Sequence, residues 1–583
     1  MKKILREPLL YLLPLLAVLY LIVIPAKMEI SNVKVTRNDK TEDVKLPYSA
    51  NMENDEVFFV SYDLEVKDKK TAKFNVIPDD CLQEILINGK KFPLDGVKGL
   101  CDYTSGVHID FSEYVNEGLN HFIFRVFNNG GPGSLRVEIS NDGFKSLFLI
   151  HYIFALFFLL CTALILRKLK FRLIAISIIL LGIIVRLVLY TYTAPMEYSY
   201  DVGGHLEYMQ LISEEKRLPK ENECWSCYHP PLYYTAFAVI KNIADRYDTN
   251  LTERILQQAT LLLSFASIIL GVALILNLFG NGYVAYLAAL ISVLWPGFVI
   301  AAPRIGNDSL FYFGALLCML FAQRFWRLHK NSDILLASIG ASIALAAKTT
   351  GFVILGVWVI IYVLGAIRYL KIGSLKTLLA SVFIIILFIG FSNYRTVLNI
   401  IDKKETSLVG NGSGLNSALR VDNRIGNYLY FDLQDYTLEP YASAWHDKGG
   451  RQYYWNYSLK TSLFGEFRFW NVPAGYVFAT ALSLLALLIF ILAFWGIIHA
   501  KFKDFPPLLF VMFLFAAHIY LRFNYPYSCS NDFRYIFPVL FPLVYFSVHG
   551  AQILENSRLR KLSYISMLSF AVFSFAFIIG QAV

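Results

Sequence analysis

Five short stretches place ionisable and aromatic side chains beside long apolar runs. They are Tyr198-Ser-Tyr-Asp201-Val-Gly-Gly-His205, Tyr228-His229-Pro-Pro-Leu-Tyr-Tyr, Arg304-Ile-Gly-Asn307-Asp308, Lys348-Thr-Thr-Gly and Asn531-Asp-Phe-Arg534-Tyr535-Ile-Phe-Pro. A charge held close to lipid is costly, so such residues are expected to have partners or a function. A carboxylate such as Asp201 can act as a general base where desolvation raises its pKa. His205 follows Asp201 by four residues, so one helical face could hold a divalent metal ion through both, or His205 could simply make a hydrogen bond. Plainer roles compete. Asp201 and Asp308 are also good helix caps, Lys348 can snorkel as an anchor, Arg534 and Tyr535 suit an aromatic belt, and Tyr228 and His229 precede two prolines.

The surrounding chain decides what must position these groups. Of its 583 residues, 56% are hydrophobic and 17% charged, and the mean hydropathy is +0.50. Soluble domains average about 45–50% apolar and about 25% charged. That excludes a water-soluble enzyme, a disordered chain and a nucleic-acid binder. The net charge of +9 comes from Lys and Arg in clusters between apolar runs, the pattern of a polytopic membrane protein in a lipid bilayer.

Apolar segments predict spans at 148–166, 172–193, 254–279, 283–303, 308–328, 333–349, 352–368, 376–394, 473–498, 506–522, 535–552 and 562–582. Each is near the ~20 residues a bilayer needs. An uncleaved N-terminal helix over 1–26 brings the expected number to about thirteen. The run 232–244 carries Lys241 and Asn242 and reads as an interfacial helix. With the N-terminus inside, Arg167, Lys168, Lys170 and Arg172, then Arg324, Arg327 and Lys330, then Lys501 and Lys503, then Arg558, Arg560 and Lys561 all fall in cytoplasmic loops. This satisfies the positive-inside rule. The five chemical stretches then share the extracytoplasmic edge, as do the loops 194–253 and 395–472. The second of these is rich in Tyr and Trp, which would suit either sugar stacking or a helix lying on the membrane.

Residues 27–146 differ in kind. Alternating runs such as Val57-Phe-Phe-Val-Ser-Tyr-Asp-Leu-Glu-Val, separated by Asn-Gly and Pro-Asp turns, predict an extracytoplasmic antiparallel β-sandwich. Residues 147–171 are then a span and a basic loop, and 172–583 the main transmembrane domain. In an oxidising compartment Cys81 and Cys101 can form a bridge. Cys224 and Cys227, in Cys-Trp-Ser-Cys, can form a bridge or a metal pair, with no second pair to complete a zinc site.

The sandwich segment, with Cys81-Leu-Gln-Glu-Ile-Leu-Ile-Asn-Gly-Lys followed by Asp110-Phe-Ser-Glu-Tyr-Val-Asn-Glu-Gly-Leu-Asn, resembles galactose-binding-like jelly rolls. The five stretches in their order, over about 172–552, resemble the GT-C superfamily of polyprenyl-phosphate-sugar-dependent glycosyltransferases, of the aminoarabinose transferase and protein O-mannosyltransferase type. That resemblance implies a multi-pass enzyme of the inner or plasma membrane with its active site on the extracytoplasmic face. It would move a sugar from a polyprenyl-phosphate donor to a glycan, lipid or protein acceptor. Asp201 matches the acidic residue of the family's first external loop, and would be the base. Asp308 matches a second acidic position, while Lys348 and Arg534 fall where donor-phosphate contacts are expected. His205, Tyr228, His229, Arg304, Asn307 and Tyr535 complete the expected binding set. The chain departs from the family in placing a helix–sandwich–helix module first, and in having no second acid paired with Asp201. Other readings are a transporter of lipid-linked sugars and a glycan-binding scaffold. The first lacks internal repeats and mid-membrane charged helix pairs, and the second needs far fewer spans.

Overall fold

The computed structural model describes residues 29–369, 374–394 and 417–582. Excepted are 45, 47, 67, 68, 70, 71, 98, 102–105, 130, 131, 140–144, 194, 196, 222, 248–251, 448, 449 and 470–474. The expected helix over 1–26 lies outside the described residues.

Ten strands come first: β1 (Glu29–Arg37), β2 (Lys40–Asp43), β3 (Tyr48–Asn51), β4 (Glu56–Val66), β5 (Lys73–Pro78), β6 (Cys81–Ile87), β7 (Lys90–Lys91), β8 (Val107–Asp110), β9 (Gly118–Asn128) and β10 (Pro132–Ile139). They form two sheets, in the orders β2-β1-β4-β9-β6-β7 and β3-β10-β5-β8. Among the described residues every strand pairing in the two sheets is antiparallel. Along β4 and β9 burial largely alternates, the period-2 signature of a strand with one face on a core. Phe58, Val60, Phe122 and Phe124 from one sheet meet Phe74, Val76, Ile109 and Leu135 from the other in one apolar cluster. A Cys81–Cys101 disulfide joins the start of β6 to the loop before β8.

The helical part runs α1 (Lys145–Lys168), α2 (Leu173–Tyr192), α3 (Val202–Glu215), α4 (Leu232–Tyr247), α5 (Thr252–Phe279), α6 (Tyr283–Leu294), α7 (Pro296–Ile300), α8 (Asp308–Leu328), α9 (Asn331–Ala347), α10 (Gly351–Tyr369), α11 (Leu375–Ser392), α12 (Gly426–Leu429), α13 (Leu433–Leu438), α14 (Tyr454–Phe464), α15 (Gly475–Ile498), α16 (Phe505–Asn524), α17 (Leu540–Gln552) and α18 (Ser557–Ala582). Among the described residues eight helices are long and apolar enough to cross a membrane, which makes this a multi-pass membrane protein; α6 and α9 are apolar but shorter. Two expected spans are cut short by proline. Pro296 ends α6 and opens the separate turn α7. Around Pro538 the chain forms a kinked 3₁₀ stretch, Phe533–Val539, before α17. Both follow from the missing N–H and fixed φ of proline.

The break after α6 is stapled by a residue the sequence reading passed over. Arg186, fully buried on α2, donates from Nη1 to the carbonyls of Gly182 (3.1 Å) and Val293 (2.9 Å), from Nη2 to that of Phe298 (3.4 Å), and from Nε to Ser264 Oγ (3.1 Å). Carbonyl oxygens on either side of the break thus satisfy a cation inside the bundle.

Helices α8 and α9 approach closely because each presents a glycine at the crossing. A Cβ on Gly314 would stand 2.5 Å from the Ala344 nitrogen, and one on Gly340 would stand 2.8 Å from the Gly314 carbonyl. Small residues at such crossings let backbones touch in a membrane. The sandwich also touches the helical part. Ile77 shares an apolar cluster with Val202, Tyr208 and Met209 of α3, and His108 Nε2 lies 3.0 Å from Glu197 Oε1.

Candidate active site

Asp201 stands beyond the apolar helix that precedes it. Helix α2 stops at Tyr192, and Asp201 stands nine residues on, in the left-handed conformation (φ 51°) at the N-cap position of α3. Its side chain makes no capping bond. It instead accepts a hydrogen bond from Trp225 Nε1 (3.2 Å) and lies 3.9 Å from Arg534 Nη2. The expected shelter is also missing, since the Asp201 side chain keeps 43% of its surface exposed.

Arg534 is the hub. Its Nε sits 3.5 Å from Asp532 Oδ2, its Nη2 donates to Tyr535 Oη (3.3 Å), and its guanidinium lies 3.9 Å from the centre of the Tyr200 ring. Arg304 approaches the same Tyr200 ring at 4.9 Å and Phe467 at 4.6 Å. The Nε and Nη2 of Arg304 are shielded and have no hydrogen-bond partner. Burying such donors unpaired costs free energy, so two guanidiniums around one tyrosine make a place for an anion.

The second acid is spent differently. Asp308 opens α8 and pairs with Lys348, which follows α9. The glycine crossing brings these two helix ends together. Lys348 Nζ also lies 4.4 Å from the centre of the Tyr535 ring. Lys348, expected from the sequence to meet a donor phosphate, thus has its charge met by Asp308. Asn307 is equally committed, donating from Nδ2 to the Ala347 carbonyl (2.9 Å).

His205 is buried on α3, exchanges a hydrogen bond with Tyr234 Oη (2.8 Å) and lies against Gly306. Burial lowers its pKa to about 4 against the pull of Asp201 and Asp308, so it is neutral near pH 7. His229 faces Tyr228 with ring centres 4.1 Å apart, and its carbonyl accepts from Tyr208 Oη (3.3 Å). A Cys224–Cys227 disulfide closes the turn that carries Trp225; it rules out the alternative of a thiolate metal pair in this state. Nor do Asp201 and His205 make a metal site. Asp201 faces an indole N–H and a cation, the His205 Nδ1 is taken, and among the described residues no three His, Cys, Asp or Glu side chains cluster.

Three contributors escaped the sequence reading. Tyr200 and Asp532 flank named residues and carried a positional signal; burial, opposed by Arg534, pushes the Asp532 carboxyl up. Glu466 had no such signal. It follows α14 within Phe464-Gly-Glu-Phe-Arg-Phe. Its Oε1 accepts from Tyr457 Oη (2.5 Å), and its backbone N–H donates to Tyr200 Oη (2.9 Å). Burial and the nearby Asp532 charge push its carboxyl up to about 7.

No protein-family model matches the chain, and no curated protein does. Among solved structures it is similar to the arabinosyltransferase EmbB from Mycobacterium smegmatis, at 10% identity and a TM-score of 0.41, over 94% of this chain and 53% of that one. The chain therefore spans about half the length of that protein.

Proposed function

We propose that this chain is a membrane glycosyltransferase of GT-C type, moving a sugar from a polyprenyl-phosphate donor to a glycan, lipid or protein acceptor on the extracytoplasmic side. The observation that carries the reading is a part-exposed carboxylate set beside two guanidiniums that share one tyrosine ring. Of the site's described carboxylates, Asp308 is held by Lys348, Asp532 lies beside Arg534 and accepts its backbone N–H, and Glu466 is bonded to Tyr457. Asp201 is the most exposed of them, at 43% of its side chain; beyond the bond from Trp225 it keeps room to take the proton of an acceptor hydroxyl.

Transfer from a lipid phosphate leaves an anionic polyprenyl phosphate behind an oxocarbenium-like sugar. Arg304 and Arg534 would bind that phosphate oxygen charge, each guanidinium offering paired donors. Tyr200 would hold the two guanidiniums in register. Neutral His205 and the Asp308–Lys348 pair would fix the floor. Apolar helices below would take the polyprenyl tail. The residues give a metal ion no evident seat, so this mechanism places none.

The test is transfer by purified protein from a panel of radiolabelled polyprenyl-phosphate sugars, beside Asp201→Asn. The variant should lose about 10²–10⁴-fold in rate, the usual worth of a general base, with donor binding little changed. Full activity in Asp201→Asn would sink the mechanism. Loss of donor binding along with activity would make Asp201 a binding residue.

A further inference from the structure

Residues 422–439 contain α12 and α13 and hold an unusual number of large apolar side chains in the open. Ile425 is 78% exposed, Leu429 77%, Leu438 61% and Leu433 53%. The inner side of the same segment is firmly held. The backbone N–H of Asp432 donates to Asn456 Oδ1 (2.9 Å), and Asn456 Nδ2 donates back to the Asp432 carbonyl (2.7 Å). Fully buried Lys460 pairs with Asp435 at 2.7 Å, and buried Tyr436 donates to the Ser483 carbonyl (3.1 Å). Asp422 and Arg424, exposed beside Ile425, mark the water-facing end, and four exposed apolar side chains on so firmly held a segment mark an interface.

The hydrogen bonds also fix its depth. The segment starts beside the extracytoplasmic end of α16, where Asn423 Nδ2 donates to the Phe523 carbonyl (2.8 Å). It descends until Tyr436 reaches Ser483, the ninth residue of α15, about 12 Å below the start of that helix at 1.5 Å per residue. It climbs again through Thr437, whose carbonyl accepts from Thr480 Oγ1 (3.2 Å), to Glu439, which accepts from Tyr476 Oη (2.7 Å). Helix α15 has 24 residues, about 36 Å, against a hydrocarbon core of about 30 Å. Even if all of the excess protruded on this side, Ser483 would lie some 6 Å inside that core by the same two dimensions. The flanks are lipid-facing as well, with Val477 73% and Phe523 58% exposed.

Irregular backbone survives at membrane depth only where protein satisfies its polar groups. Asn456 does so on both sides of Asp432, and the Asp432 side chain accepts the N–H of Asp435. From the continuity of this face with the lipid-facing sides of α15 and α16, we propose that 422–439 is a wedge seated in the extracytoplasmic leaflet, with Ile425, Leu429, Leu433 and Leu438 against lipid acyl chains. The wedge grips α14 through Asn456 and Lys460, and α14 runs on to Glu466. Its insertion does not depend on the transfer reaction proposed above.

The test uses full-length protein in nanodiscs, with Cys161, Cys318 and Cys529 replaced by Ala and a fluorophore on Leu433→Cys or Leu429→Cys. Phosphatidylcholine spin-labelled on its acyl chain should quench both positions severalfold more than aqueous iodide does. A label on Gln210→Cys, exposed on α3, should show the reverse order. Iodide quenching at 433 and 429 would overturn the proposal. Shielding from both quenchers would overturn it too, in favour of a second copy or another protein covering the face. Both substitutions are at exposed positions, and a monodisperse elution profile matching the parent protein confirms folding.

Discussion

The two ends of the helical bundle treat cations in opposite ways. At the basic end, Arg167, Lys170, Arg327, Lys330, Lys503 and Arg558 are exposed. There Arg327 donates to the Asn277 carbonyl and Arg368 lies 3.7 Å from the centre of the Phe502 ring, while the half-buried Arg324 meets a carboxylate, that of Asp333, at 3.3 Å. At the other end Lys348 is 6% exposed and the Arg534 side chain 13%, and each faces carboxylates. Exposed cations are solvated by water and headgroups, so they set orientation and need no fixed partner. Buried ones must be paired, and the pairing network then dictates which groups stay open. Here Asp201 keeps 43% of its side chain exposed, and Arg304 keeps Nε and Nη2 without a hydrogen-bond partner.

The comparison can be broken outright by topology. In a background without free cysteines, a thiol reagent that cannot cross membranes should label Gln210→Cys in sealed cells and leave Lys330→Cys unlabelled until permeabilisation. Labelling of Lys330→Cys from outside would invert the two ends. The next effect is on donor affinity. Arg304→Ala and Arg534→Ala should each weaken donor binding by roughly 10- to 100-fold, as expected for lost charge-assisted hydrogen bonds. Arg327→Ala, at the exposed end, should change it less than about twofold. Equal losses at the two ends would erase the distinction between them.

A smaller effect concerns reduction. Opening the Cys224–Cys227 disulfide frees the turn that aims Trp225 at Asp201, so dithiothreitol should slow transfer by roughly two- to tenfold, the worth of about one hydrogen bond. A variant with both Cys81 and Cys101 changed to Ser should keep that sensitivity. If it does not, the sandwich bridge is the relevant one. The last test is of pH. Glu466 is lifted from 4.5 to about 7, so the native state keeps a proton that the unfolded chain releases sooner. Stability should therefore fall as pH rises through that window. Thermal unfolding of Glu466→Gln between pH 5 and 8 should lack this part of the fall, and parallel curves would remove Glu466 from the titrating set.

Much of this was legible in the sequence. Apolar length located the membrane helices, and the two-residue alternation of Glu56–Val66 identified a sandwich strand. The basic loops placed Asp201, Asp308, Lys348 and Arg534 at one edge, and the structure brings them together. What stayed hidden depends on partners far apart in sequence. Glu466 gains its meaning from Tyr457 and Tyr200, one on the helix before it and one 266 positions away. Arg186 sits in an apolar run, and what satisfies it is carbonyl oxygen around a break that only the fold reveals. The exposure of Asp201 was not legible, because it depends on the seat of that residue beside Trp225 and Arg534, which only the fold brings to it.

The close crossing of α8 and α9 has a mechanical meaning. At one end the hairpin is tied by Asp308 to Lys348 and by Asn307 to the Ala347 carbonyl. Gly314 and Gly340 clamp its middle, and Arg324 meets Asp333 at 3.3 Å near the turn. Three ties along two helices leave no hinge between them, so the pair behaves as a stiff beam. Any rearrangement of the bundle is then borne by other elements, such as the 3₁₀ stretch before α17. The beam itself stays still as the fixed wall against which those parts move.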